Sequence, residues 1–154
     1  IPELNQWIKP HPNFRIIATA NTIGKGDDTG LYSGTVVLNE SFLDRWDAVF
    51  LVNYMPEAQE VSLLTSKIEG LNKSTAKRMV CVANDLRSAL KDGVIYSSFS
   101  TRKLLAWARK TIQLSSPRDA VLYSVMNKVT SDDRQVVREV LQRHGFQEED
   151  DAPF

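Results

Sequence analysis

Two hydrophobic patterns divide the chain. Residues 14–20 and 48–52 are short, nearly continuous apolar runs, rich in branched or aromatic side chains and without alternation. Such runs suit strands buried on both faces, as in a parallel sheet. Between them lie the glycine-rich loop Gly24-Lys-Gly-Asp-Asp-Thr-Gly30 and a short helical stretch over about residues 40–45. The combination reads as one βαβ crossover. Two buried parallel strands need cover on both faces and both edges, and this chain has too few elements to supply it. The expected sheet therefore continues in further chain or in a partner.

From Pro56 onward the period changes to that of helices. Ala76, Met79, Val80, Ala83, Leu86 and Leu90 follow the i, i+3, i+4, i+7 rule, which predicts an amphipathic helix ending near Gly93. Leu104, Ala108 and Ile112 form a similar stripe on the next helix. Ser116-Pro117 supplies a capping hydroxyl followed by proline at the first helical position, a strong start signal. A fourth helix is expected from Ser131, with Asp132 and Asp133 in its first turn, stopping at Gly145. The predicted organisation is an α/β segment over residues 1–55, a helical bundle over 56–146 and an acidic, solvated tail over 147–154. No internal repeat is present.

At 154 residues and 42% hydrophobic content, the chain can bury one sizeable core and a smaller satellite. Its 19 basic and 19 acidic side chains balance, so no global charge draws it to nucleic acid or an anionic membrane. The single cysteine, Cys81, lies in a helical pattern, can form no intrachain disulfide and reads as a core residue. No apolar stretch reaches the roughly 18 residues that span a bilayer, and no basic-then-apolar leader opens the chain. The default location is cytoplasmic. The chain opens Ile1-Pro2-Glu3 without an initiator methionine, which fits processing or truncation.

Several candidate sites fail on spacing. Gly24-Lys25-Gly26 lacks the Gly-x-x-x-x-Gly-Lys-[Ser/Thr] spacing of a phosphate loop. The Asp27-Asp28 pair has no further acid at calcium-loop spacing and reads as a polar turn. His11, between prolines, and His144, beside Gly145, have no metal-ligand or catalytic partners nearby in sequence and read as structural. No metal site is expected.

Three polar residues at the ends of apolar elements carry the chemistry. Asn21 closes the first apolar run, at the carboxyl edge where α/β sheets place ligands. Its amide either orients a water or touches a terminal phosphate, or it bonds its own turn, and spacing does not choose. Arg45 follows the short helix, where a guanidinium can project from the edge of a domain to a phosphate held by a neighbouring subunit. A local ion pair with Asp44 or Asp47 is the simpler reading from spacing alone. Arg102 falls in the first turn of its helix, beside the positive end of the dipole, an unfavourable place for a cation that suggests an anionic contact. A solvated side chain there would cost only a few tenths of a kcal/mol or so.

Taken together, the stretch from His11 to Gly24, Gly26-Asp-Asp-Thr-Gly-Leu-Tyr32, Asp44-Arg-Trp46, Asn53-Tyr54, Ser100-Thr-Arg102, Trp107, Asn127-Lys128 and Gln142-Arg143 resembles the AAA+ ATPase subunit of aerobic cobaltochelatase. It is similar more broadly to MoxR-type ATPases. The resemblance implies the C-terminal part of a AAA+ core followed by the α-helical lid. It makes Asn21 sensor 1, Arg45 the arginine finger acting on the next subunit's ATP, and Arg102 the sensor 2 arginine of the lid. It also implies ATP and Mg2+ in the complete protein and a homo-oligomeric ring, commonly hexameric in this family. Remodelling or metal insertion would act on a partner that often carries a von Willebrand factor A domain. The phosphate loop and the acidic strand that holds magnesium are expected ahead of Ile1, so this stretch alone is expected neither to bind ATP tightly nor to hydrolyse it. A rival reading is a non-enzymatic interaction module built on the same fold. A third is nucleic-acid binding by Arg102, Lys103, Arg109 and Lys110, against which overall neutrality argues.

Overall fold

The computed structural model describes residues 7–26 and 34–146. The Asp27-Asp28 turn and the acidic tail lie outside them. The chain separates into two units, Ile1–Ala48 and Val49–Phe154.

In the first unit the described regular element is α1, Glu40–Leu43, capped by the Asn39 side chain, which accepts from the Ser41 amide. Phe42 and Trp46 meet edge to face with ring centroids 6.3 Å apart, bracing the turn that follows. Gly24 is buried at φ +83°, and a Cβ there would lie 2.9 Å from Leu43 Cδ2 and 3.0 Å from Leu38 Cδ1. Its carbonyl accepts from the Leu38 amide at 2.7 Å, so the loop closes on the approach to α1. Only glycine fits both the backbone conformation and the space.

The two apolar runs do not form strands among the described residues. Residues 14–20 and 48–52 are irregular, exposed and without a ladder, with Ile17 90% and Phe50 84% accessible. A strand satisfies its amides on a neighbour, and among the described residues no neighbour lies alongside.

The second unit is helical: α2 (Glu57–Lys67), α3 (Lys73–Lys91), α4 (Thr101–Leu114), α5 (Pro117–Ser124), a 3₁₀ turn (Met126–Lys128) and α6 (Arg134–Arg143). α3 packs against α2, α4 and α6, while α5 folds back along α4. The expected face of α3 is the buried one, including Ala76, Met79, Val80, Ala83 and Leu86. After α3 the chain turns through Gly93, at φ +71°. Trp107 is at the centre, edge to face with Phe99 and Phe146, its indole N–H donating to the Pro117 carbonyl at 3.1 Å.

Two sequence expectations are corrected here. The stripe of α4 is rotated: Leu104, Trp107, Ala108 and Thr111 are buried, whereas Ile112 is exposed. Thr111 is accommodated because its hydroxyl donates to the Trp107 carbonyl one turn back. The last helix starts at Arg134, not Ser131, and the carboxylate of Asp133 does not cap it. That carboxylate is buried and accepts the amides of Tyr96, at 3.0 Å, and Ser97, at 2.6 Å, holding the strap that leads from α3 to α4. Burial works to raise its pKa, but the hydrogen bonds from Ser97, Tyr96 and Thr130 outweigh it and hold the carboxyl below its usual value. Asp133→Asn is expected to cost about 1.5–3 kcal/mol, the worth of hydrogen bonds to a charged group, read as a lower denaturant midpoint at unchanged slope.

Candidate functional site

Each of the three sequence-derived residues is exposed: Asn21 in a bend, Arg45 in the turn after α1 and Arg102 in the first turn of α4. Asn21 and Arg45 belong to the first unit and Arg102 to the second. Asn21 sits in a bend whose side-chain closure comes from its neighbour, the Thr22 hydroxyl accepting from the Gly24 amide at 3.4 Å. The alternative in which the Asn21 amide bonds its own turn is therefore not seen among the described residues.

Arg45 sits in the turn after α1, its amide donating to the Phe42 carbonyl at 3.3 Å. Among the described residues it forms no ion pair with Asp44 or Asp47. Its mount is well defined for so short a helix, through the Asn39 cap, the Phe42–Trp46 pair and the seating of Leu43 against Gly24.

Arg102 is the second residue of α4. Ser100 caps this helix, its hydroxyl accepting from the Lys103 amide at 3.3 Å. Lys103 turns away and donates to the Ser98 carbonyl at 2.6 Å; burial, and then the nearby charge of Lys128, lower its pKa. Arg102 is left as the exposed cation at the helix N-terminus, unpaired among the described residues. Such a group suits an anionic oxygen approaching the same positive end.

Sequence reasoning missed what lies behind Arg102. Glu60 of α2, fully buried, and Arg87 of α3 form a bidentate pair at 2.7 and 2.8 Å. Arg87 also donates to the Phe99 carbonyl at 2.9 Å and to Asn84 Oδ1 at 3.1 Å. The Thr101 hydroxyl donates to Glu60 Oε1 at 2.7 Å, and the Tyr54 ring lies 3.9 Å from the guanidinium carbon. Burial works to raise the Glu60 pKa, but the hydrogen bonds from Arg87 and Thr101, with the charge of Arg87, hold it below the usual carboxylate value. The two partners are 27 residues apart, and the only signal in sequence is a glutamate interrupting the apolar face of α2.

Arg78 and both histidines hold local structure. Arg78 donates to the His144 and Gly145 carbonyls at 2.7 and 2.6 Å and stacks on Phe146, closing the end of α6. His144 pairs with Asp85 at 2.9 Å, and His11 Nδ1 accepts from the Asn13 amide at 3.1 Å. Cys81 is half-buried, not fully in the core; burial, then the charge of Glu57, pushes its thiol up and away from thiolate chemistry. No helix among the described residues is long and apolar enough to cross a membrane.

The helical unit has the form of the lid of a AAA+ ATPase. Residues 60–144 match the CbbQ/NirQ/NorQ C-terminal family, and the chain belongs to that family. It is 37% identical over 140 residues to the aerobic cobaltochelatase subunit CobS of Sinorhizobium sp, covering 88% of this chain and 42% of that protein. It is also 25% identical over 155 residues to midasin of Dictyostelium discoideum, covering 94% of this chain but 2% of that much longer protein. The chain thus spans less than half the length of either relative. No solved structure matches.

Proposed function

We propose that this chain is the C-terminal portion of a cobaltochelatase-like or MoxR-like AAA+ ATPase that couples ATP hydrolysis in a ring to remodelling of a partner or to metal insertion. The observation that carries the reading is the family match of the helical unit, within which an unpaired Arg102 stands at the start of α4. Residues 1–55 then form the end of the ATPase core and residues 56–146 its lid. The exposed runs 14–20 and 48–52 are strands of a sheet whose other members lie in the rest of the core. Their accessibility supports this, since side chains such as Ile17 and Phe50 would otherwise face water.

In this reading Asn21 acts as sensor 1, Arg45 as the finger for the next subunit's nucleotide and Arg102 as the lid's sensor 2. An unpaired guanidinium and an amide free of its own turn fit phosphate oxygens. Among these 154 residues no phosphate-loop motif occurs, so the backbone cradle and the Mg2+ ligands belong elsewhere in the complete protein. A ring, commonly hexameric, working in the cytoplasm on a partner with a von Willebrand factor A domain completes the proposal, with cobalt as one candidate cargo.

The test uses the full-length protein with fluorophores on α3 and on the core. ATP is expected to change the energy transfer between them, and Arg102→Ala to remove most of that change. A nucleotide-dependent change of normal size in the variant would take Arg102 out of the lid's response.

A further inference from the structure

Arg102 is one residue beyond Thr101, and Thr101 is tied to a buried charge. We infer that the Glu60–Arg87–Thr101 network, covered by Tyr54, is a positioning device that fixes the first turn of α4 and so aims Arg102 at its anion. This rests on the reading of Arg102 given above.

The geometry argues for more than general stability. An arginine has four rotatable bonds before its planar head, and its reach is defined only if its backbone is. The first turn of a helix, like the last, is prone to fray, because its amides lack intrahelical partners. Here that turn is held from several sides. The Thr101 hydroxyl donates to Glu60 Oε1 at 2.7 Å, and the Phe99 carbonyl accepts from Arg87 Nε at 2.9 Å. The Lys103 ammonium donates to the Ser98 carbonyl at 2.6 Å, and Asp133 holds the Tyr96 and Ser97 amides. The residues just ahead of Arg102 are therefore bonded to α2, α3 and the start of α6, while Arg102 itself is left free.

Tyr54 gives the network an outer wall. Its ring lies over the Arg87 guanidinium but is itself 49% accessible, so it shields a buried charge from the surface side. Tyr54 sits ahead of α2, so any rearrangement of that lead-in segment changes the cover over Arg87 and, through Glu60 and Thr101, the mount of Arg102.

The experiment is a double-variant cycle in the full-length protein, with binding of a fluorescent ATP analogue as readout and thermal midpoint recorded beside it. Arg102→Ala is expected to weaken binding by about tenfold or more, as loss of a charged hydrogen bond does. Thr101→Val is expected to weaken it several-fold, Thr101→Ser to restore it, and Thr101→Val added to Arg102→Ala to weaken it no further. Tyr54→Leu, which leaves no hole in the core, serves as a second probe of the same coupling if Thr101→Val unfolds the lid. Wild-type affinity in Arg102→Ala would sink the sensor reading, and the positioning role with it. A weakened Arg102→Ala beside an unaffected or fully additive Thr101→Val would overturn the positioning role alone. Failure of Thr101→Ser to restore binding would also overturn it.

Discussion

Replacing Arg45 with alanine in the full-length protein is expected to lower ATP turnover by about 10³- to 10⁵-fold while leaving ATP binding in place, the effect of removing an arginine finger. The expectation follows from where the side chain stands. It is exposed, it pairs with neither adjacent aspartate among the described residues, and its turn is fixed by the Phe42–Trp46 contact and the Asn39 cap. A guanidinium left free beside two available carboxylates is poised for a different oxygen, and its planar fork matches a phosphoryl group in flight. Lysine supplies the charge without the fork, so Arg45→Lys should recover little. Action on the neighbouring subunit makes a sharper forecast. Rings mixed from Arg45→Ala subunits and Asn21→Ala subunits should regain activity at interfaces that pair an intact Asn21 site with an intact Arg45. Normal turnover in Arg45→Ala would remove it from the mechanism, and silent mixed rings would show that it acts within its own subunit.

Part of this is legible in the sequence. Ser116-Pro117 announced α5, and the Ser116 hydroxyl does accept from the Asp119 amide; a cap is a local interaction and leaves a local mark. The face of α3 was readable for the same reason, since one helix carries the whole stripe. Arg102 was placed correctly in the first turn of α4. Much of what escaped depends on residues distant in sequence, and the rest on bonds that residue type alone does not announce. Thr111 counts as polar until its hydroxyl is seen bonded to Trp107, and Ile112 counts as core although its neighbours leave it exposed. Asp132 and Asp133 looked like first-turn acids, but Asp133 serves amides 36 and 37 residues away. α2 was not distinguished as a separate helix because a glutamate sits among Val61 and Leu64 on its buried face. The apolar runs 14–20 and 48–52 have the pattern of buried strands, but among the described residues no neighbour is present on which a ladder could form.

Glu60→Ala is expected to destabilise the helical unit by about 3–5 kcal/mol, because it strands the Arg87 guanidinium in the interior without its carboxylate. The Thr101 hydroxyl would lose its acceptor in the same step. The wild-type pair also sets an acid limit. The folded pKa of Glu60 lies below its unfolded value, so its contribution is complete above the ordinary carboxylate range, about pH 4, and is lost as pH falls through the depressed folded value. Asp133, shifted in the same direction, steepens that limb. In Glu60→Ala the acid slope should flatten, and denaturation curves from neutral pH downward would show it; an unchanged slope with full stability would mean that the pair carries no net charge energy. Charge burial and chain positioning can then be separated. A joint replacement, Glu60→Leu with Arg87→Met, removes both charges and should recover most of the lost stability, because a buried ion pair repays little more than its desolvation. It still leaves Thr101 without Glu60 Oε1 and the Phe99 carbonyl without Arg87 Nε. If the network serves only to hold the lid together, this double variant should respond to nucleotide as the wild type does. If it aims Arg102, a lid of normal stability should bind the ATP analogue as weakly as Thr101→Val.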